Sequence, residues 1–219
     1  MSQHIQVDPK IYEQYATYHA LGIRVKVPEN TGTLKSMLRV AEDTVRSHPA
    51  TYLDDHITLW REAYRSFGSK PSKYLSSLEA LVKRVRKGEE LPAINPLVDL
   101  YNSLSIQLGF PAGGDDVSKL SGRIELCFSN GTDTFGDDHQ MVKPGEVIYR
   151  DQDSVTCRRW NWRQAPRSFI TEETREAYFI FESLLDDQSR LFNNEEAILN
   201  AMKDSVKGLE ILGVEKYSR

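Results

Sequence analysis

Ile94-Asn95-Pro96-Leu97-Val98-Asp99-Leu100-Tyr101-Asn102-Ser103-Leu104-Ser105-Ile106-Gln107-Leu108-Gly109-Phe110-Pro111 is the stretch on which the reading of the fold turns. Leu97, Leu100, Tyr101, Leu104 and Leu108 recur at steps of three and four, the spacing that lines one face of a helix. Gly109-Phe110-Pro111 then stops it, because proline cannot continue a helix. The other face carries Asp99, Asn102, Ser103 and Ser105. Upstream the same period predicts helices over 33–47, 55–67 and 72–86, the last with Ser72 as N-cap and Gly88 as terminator. A short strand is expected over 22–27. From residue 122 the period becomes two and predicts strands over 122–129, 146–150 and 155–163, separated by turns such as Ser129-Asn130-Gly131 and Lys143-Pro144-Gly145. Residues 177–185 read as a buried strand or a helix end, and 195–209 as a closing helix.

Composition bounds what this chain does. It has 219 residues, 39% hydrophobic and 27% charged, a balance that fits one globular domain or two small ones, and no linker is long enough to force two. Lys and Arg number 28 against 32 Asp and Glu, net -4, so nucleic-acid contact requires a local basic patch. No apolar run approaches 18 residues, and the expectation is a soluble cytoplasmic protein without a membrane partner. His4, His19, His48, His56 and His139 lack metal spacing, and Cys127 and Cys157 stand alone, so neither a metal nor a cofactor is expected. A Gly-x-Ser-x-Gly elbow, a Walker loop and a dinucleotide fingerprint are all missing. Gly113-Gly114 follows a helix, the wrong context for cradling phosphate. An enzyme of this kind works by positioning substrate and water with polar side chains.

Residues 154–168 stand out: Ser-Val-Thr-Cys-Arg-Arg-Trp-Asn-Trp-Arg-Gln-Ala-Pro-Arg-Ser holds four arginines, two of the three tryptophans and no acid. Read as a strand, it puts Arg158, Trp160, Trp162 and Gln164 on one face and Cys157, Arg159, Asn161 and Arg163 on the other. Arginine forks suit phosphate or carboxylate, and tryptophan offers a stacking face, the chemistry of an anionic ligand or an RNA end. The alternative is structural: tryptophans in the core and arginines paired with Asp151, Asp153, Glu172 and Glu173. A second basic run, Lys70, Lys73, Lys83, Arg84, Arg86 and Lys87, is either a second RNA platform or a solvated helix face.

The order Val98-Asp99-Leu100-Tyr101-Asn102, Leu108-Gly109-Phe110-Pro111, Asp116, Gly122-Arg123-Ile124, then Gly145 to Asp151 and Thr171 to Thr174, resembles the B3/B4 domain of the phenylalanyl-tRNA synthetase beta subunit. There the stretch reads V-D-x-T-N-Y, L-G-x-P-x-H-A-F-D and G-x-I at the same spacing. The helical N-terminal half is read from periodicity and has no counterpart in the family, and one domain is expected over 1–219, made of a helical part (1–91), the motif segment and a C-terminal helix and tail (186–219). The resemblance covers 92–185 and implies an α/β fold, a mixed sheet flanked by helices. It further implies trans-editing, hydrolysis of the ester of mischarged tRNA, with tRNA as partner and no DNA or aminoacylation.

Carried over residue by residue, the family's Asn falls on Asn102, its Thr on Tyr101 and its Asp on Asp116. Its pocket histidine falls on Gly113, beside Gly114. The glycine-rich A-G-x-x-G-G aligns with 157–164, which sets Arg159, Trp160, Arg163 and Gln164 at glycine positions and favours a small or polar amino acid over tyrosine. A pocket glutamate aligns near Ile180, with Glu182 two residues on and of the same strand parity. The expected catalytic residues are therefore Asn102, Asn161, Asp116 and Glu182. Substrate contacts are expected from Asp99, Tyr101, Gly113, Gly114, Arg159, Trp160, Trp162 and Arg163. A non-catalytic module binding tRNA or an amino acid is the alternative, since loss of the histidine also fits a retired enzyme.

Overall fold

The computed structural model describes residues 4–47 and 52–219, so His48 lies outside the described residues. The chain runs β1 (Ile5–Val7), α1 (Pro9–Gln14), β2 (His19–Lys26), α2 (Lys35–Ser47), α3 (Tyr52–Ser66), α4 (Ser77–Arg86), α5 (Pro96–Leu108), β3 (Ala112–Asp116) and β4 (Ile124–Phe128). It continues through β5 (Thr134–Phe135), β6 (Gln140–Met141), β7 (Val147–Arg150), β8 (Val155–Arg158), β9 (Arg163–Gln164), β10 (Glu176–Ser183), α6 (Ser189–Phe192), α7 (Glu195–Ser205) and β11 (Glu210–Tyr217). Within 94–111 the predicted helix is α5. Asn95 caps it by accepting from the Val98 amide at 3.0 Å, and Gly109 ends it with φ 76°, a backbone glycine adopts at no steric cost.

Two sheets divide the interior. One is mixed, in the order β1-β4-β7-β8-β9, with β1 parallel to β4; the other is antiparallel, in the order β11-β2-β10-β3. Along β10 the faces alternate. Ala177, Phe179 and Phe181 join Leu97, Leu100 and Leu104 of α5 and Ile198 and Met202 of α7 in one core. Tyr178 lies in a second core, with Leu126, Val147 and Tyr149 of the mixed sheet, and Ile180 packs against it. Helices α2 to α5 enclose a third apolar cluster. The order is thus helices, antiparallel sheet, mixed sheet, and the space between the sheets is where a ligand can be enclosed.

One glycine here is required by contact. A Cβ at Gly22 would lie 1.8 Å from the Tyr178 hydroxyl, because the Tyr178 ring lies across β2 to reach Glu215 and Tyr217. Gly22→Ala is expected to cost about 1–3 kcal/mol as overpacking, read from urea melts. Unchanged stability would mean that this ring is not held in place.

Three sequence expectations are corrected. The helix placed over 72–86 starts at Ser77 with Ser76 as its cap, because Ser76 and Glu79 form the Ser-x-x-Glu pair that satisfies a first-turn amide, whereas Lys73 and Tyr74 donate to Lys70 O in a separate turn. The strand placed over 155–163 ends at Arg158, folds through Arg159 (φ 47°) and Trp160 (φ 65°), and returns as β9, so the supposed alternation of faces stops at the turn. The helix expected to close the chain ends at Ser205, and past Gly208 (φ 75°) the strand β11 pairs with β2. A bulge between Ile211 and Gly213 breaks the two-residue period there, which hides this strand in the sequence. Within residues 1–91 the strand expected over 22–27 is found as β2, and β1 is added to it beside the helices.

Candidate functional site

A cavity of about 270 Å³ lies between the sheets, lined in part by α4 and α5. That is near the lower end for small-molecule sites. Its wall is built by register. Ile180 of β10 lies opposite Gly113 of β3, and Tyr178 opposite Asp115, so Gly113, Asp115, Ile180 and, one step on, Glu182 share the inward face. A Cβ at Gly113 would meet nothing within 4 Å, so the missing side chain there is open space. At Gly114 it would strike Phe179 at 2.6 Å, which shows that this position faces the other core.

Glu182 is 1% exposed and is the polar centre of the wall. Its Oε1 accepts from Tyr149 Oη (2.5 Å), Trp160 Nε1 (2.7 Å) and Tyr18 Oη (3.2 Å), and its Oε2 accepts from Asn161 Nδ2 (3.0 Å). Burial raises its pKa above the ordinary carboxylate value, while these four donors pull the other way. Asp115 is the second acid of the cavity. Burial pushes it up to about 6, opposed by hydrogen bonds from Ser168 and Gln164. The Cys157 thiol also lines the space, but burial holds its pKa well above the ordinary value, so it is no nucleophile near neutrality.

The expected site residues separate into three groups. Asn102, Tyr101, Gly113, Gly114, Trp160, Asn161, Trp162, Arg163 and Glu182 all line the cavity. Asn161 bridges, its Oδ1 accepting from Tyr64 Oη at 2.9 Å while its amide holds Glu182; removing it strands two buried polar groups, so it acts on folding as well as on any ligand. Asp99 and Asp116 stand outside. Asp99 is fully buried and accepts from the Leu34 and Ile94 amides, each at 2.8 Å, and Asp116 accepts from Thr174 Oγ1 and from Ser118, holding the turn after β3. Arg159 also leaves the cavity: its guanidinium lies 3.8 Å from the Tyr74 ring centroid, so it does not fill the pocket as its alignment with glycine implied. Three of the four arginines of 154–168 find acids, one of them an expected partner: Arg158 pairs with Glu146 at 2.8 Å and Arg159 with the same acid at 3.6 Å, while Arg167 pairs with the expected Asp151 at 2.6 Å.

The sequence reading missed Asp115. Strand parity with Gly113 was the available signal, and it was masked because Asp116 matches the family pattern. Among the described residues no group of three or more His, Cys, Asp or Glu is arranged to hold a metal ion, and no helix is long and apolar enough to cross a membrane. A model of the B3/4 domain family matches residues 59–201, more than half of the chain, starting inside α3 and so taking in α4, which the quoted motifs had left out. No curated protein matches the chain.

Proposed function

The chain belongs to the B3/4 domain family, a tRNA-binding and editing-related class, and on that premise we propose that it is a trans-editing deacylase. It would hydrolyse the ester of a mischarged aminoacyl-tRNA, with the amino acid in the cavity and the RNA outside it. The observation that carries this reading is the separation of charge. Two acids, Asp115 and Glu182, face the interior, while Arg163, exposed, lies at the cavity wall beside Trp162. An aminoacyl-tRNA has the matching polarity, an ammonium group on the amino acid and phosphates on the RNA.

Glu182 Oε2, with a single protein donor, is placed to accept from the substrate ammonium. Asp115, poised to ionise near neutral pH, takes the proton from a water as its oxygen bonds to the ester carbon. Asn102, whose amide has no partner among the described residues, donates to the oxyanion that forms. As the intermediate collapses, the carbon–oxygen bond to the ribose breaks, and Asp115 returns its proton to the leaving oxygen. The products are free amino acid and tRNA with a free hydroxyl. In this scheme Asp115, and not Asp116, supplies the proton chemistry that Gly113 cannot.

Single-turnover deacylation of a panel of misacylated tRNAs tests the reading, and hydrolysis of at least one well above its spontaneous rate is expected. No acceleration across the panel, with binding intact, would favour the binding module, a reading that Gly113 in the histidine position supports. Gly113→Leu places bulk in the open space of the cavity. It is expected to fold normally and to slow hydrolysis of large amino acids at least about tenfold more than that of alanine, a usual range for pocket discrimination. Equal rates for all substrates would remove the amino acid from this cavity.

A further inference from the structure

Two basic and aromatic segments far apart in sequence meet beside the cavity. Tyr74, in the turn before α4, packs edge-on against Trp162 of the β8–β9 loop, ring centroids 4.7 Å apart. The Arg159 guanidinium sits 3.8 Å from the Tyr74 centroid and 4.6 Å from that of Trp162, with Nε and Nη1 buried and without hydrogen-bond partners. Lys73 Nζ lies 5.3 Å from the Tyr74 ring, and Arg163 5.9 Å from Trp162. Next to this cluster a shallow concavity is lined by Arg61, Arg65 and the turn Gly68 to Ser72.

Two acids near the cluster are already paired. Glu79 faces Arg61 at 3.2 Å, and Glu146 holds Arg158 and, at 3.6 Å, Arg159. No ion pair is formed among the described residues by Arg65, Lys70, Lys73 or Arg163, all exposed. In a protein of net charge -4 these four cations, set around two half-buried rings, mark a place where negative charge and a flat π-face are wanted together. Solvated lysines alone do not need the rings, and duplex RNA hides its bases. A single strand offers both phosphates and unstacked bases.

Resting on the deacylase reading, we infer that the single-stranded 3′ end of an RNA docks on this platform. Arg65, Lys70 and Lys73 carry its phosphates, one base stacks against Tyr74 and Trp162, and the terminal ribose is delivered past Arg163 to the cavity. The run 70–87, left open as a solvated face by the sequence, therefore divides. Its first part joins the platform, while Arg84 pairs with Glu89 and Arg86 with Asp54 on the helix surface.

The test uses the full chain and an unacylated five-nucleotide RNA ending in C-C-A, labelled at its 5′ end, with anisotropy read over a salt series. The double variant Lys70→Ala/Lys73→Ala is expected to weaken binding and to lower the salt slope by about 1.4, two phosphate contacts at roughly 0.7 each. Tyr74→Leu is expected to weaken binding about tenfold at an unchanged slope, the loss of one stacked base. The lysines are exposed, so the double variant keeps its fold even if Tyr74→Leu does not. The proposal is overturned by absence of binding to the wild type, by binding that neither variant changes, or by equal competition from a duplex of the same length or from polyglutamate. Because the probe carries no ester, intact platform binding beside absent hydrolysis overturns the deacylase alone.

Discussion

Asp115→Asn is expected to slow single-turnover deacylation by about 10²- to 10⁴-fold, the range for a lost general base. In the wild type the rate should climb with pH and level off above about 6, where the Asp115 carboxyl has ionised; in the variant that limb should vanish. The same substitution should stabilise the protein. An acid of pKa 3.8 in the unfolded chain and about 6 in the folded one binds its proton more tightly when folded, so its effect on stability is nil below the unfolded value and grows as pH rises to the folded one. Above pH 6 the cost is about 3 kcal/mol, and asparagine removes it. Melting curves at pH 8 and pH 4 check the sign: the variant should gain at pH 8 and not at pH 4. A rate unchanged by the substitution returns Asp115 to the status of a wall residue.

Glu182→Ala is expected to cost at least about 3 kcal/mol, a large share of the roughly 5–15 kcal/mol that holds a domain together. Tyr18, Tyr149, Trp160 and Asn161 would lose this acceptor at once; one tyrosine can donate to the other at 3.2 Å, and each of the three buried donors left without a partner costs about 1–3 kcal/mol. Glu182→Gln keeps the shape. Its oxygen serves the two tyrosines and the tryptophan, and its amide faces Asn161, which can turn over because its Tyr64 partner is a hydroxyl able to donate or accept. The glutamine variant should therefore fold close to wild type while holding the aminoacyl group less well. Equal losses in the two variants, measured in urea, would show that the four donors do not depend on this acceptor.

What the sequence made legible is what short-range physics controls. The stripe and the glycine stop of α5 follow from neighbours along the chain, whereas 177–185, which begins with an unbroken apolar run, left strand and helix end both open, and Glu182 was reached only by parity from a position aligned with the family. Asp115 was missed because it adjoins an aspartate that matches the family motif, and only pairing with Tyr178 across the sheet shows which of the two faces inward. Arg159 and Trp160 were misplaced for a different reason. Periodicity assumes a continuous strand, and nothing local announces that two bulky residues will take backbone angles usually left to glycine. The meeting of Tyr74 with Trp162 was equally invisible, as it joins the turn before α4 to the β8–β9 loop across more than eighty residues of chain.

That turn bears on how the protein changes by mutation. Each non-glycine residue at positive φ carries a conformational cost of order 1–3 kcal/mol, so a random replacement of Arg159 or Trp160 by glycine runs downhill for the backbone. Such a drift erases the cation packed against both Tyr74 and Trp162, or the indole that anchors Glu182, while leaving the hairpin easier to form. In a library screened only for soluble expression, glycine should accumulate at Arg159, whose side chain lies outside the core clusters, and not at Trp160, whose fully buried ring packs on Trp60. In a library screened for RNA binding it should disappear from both.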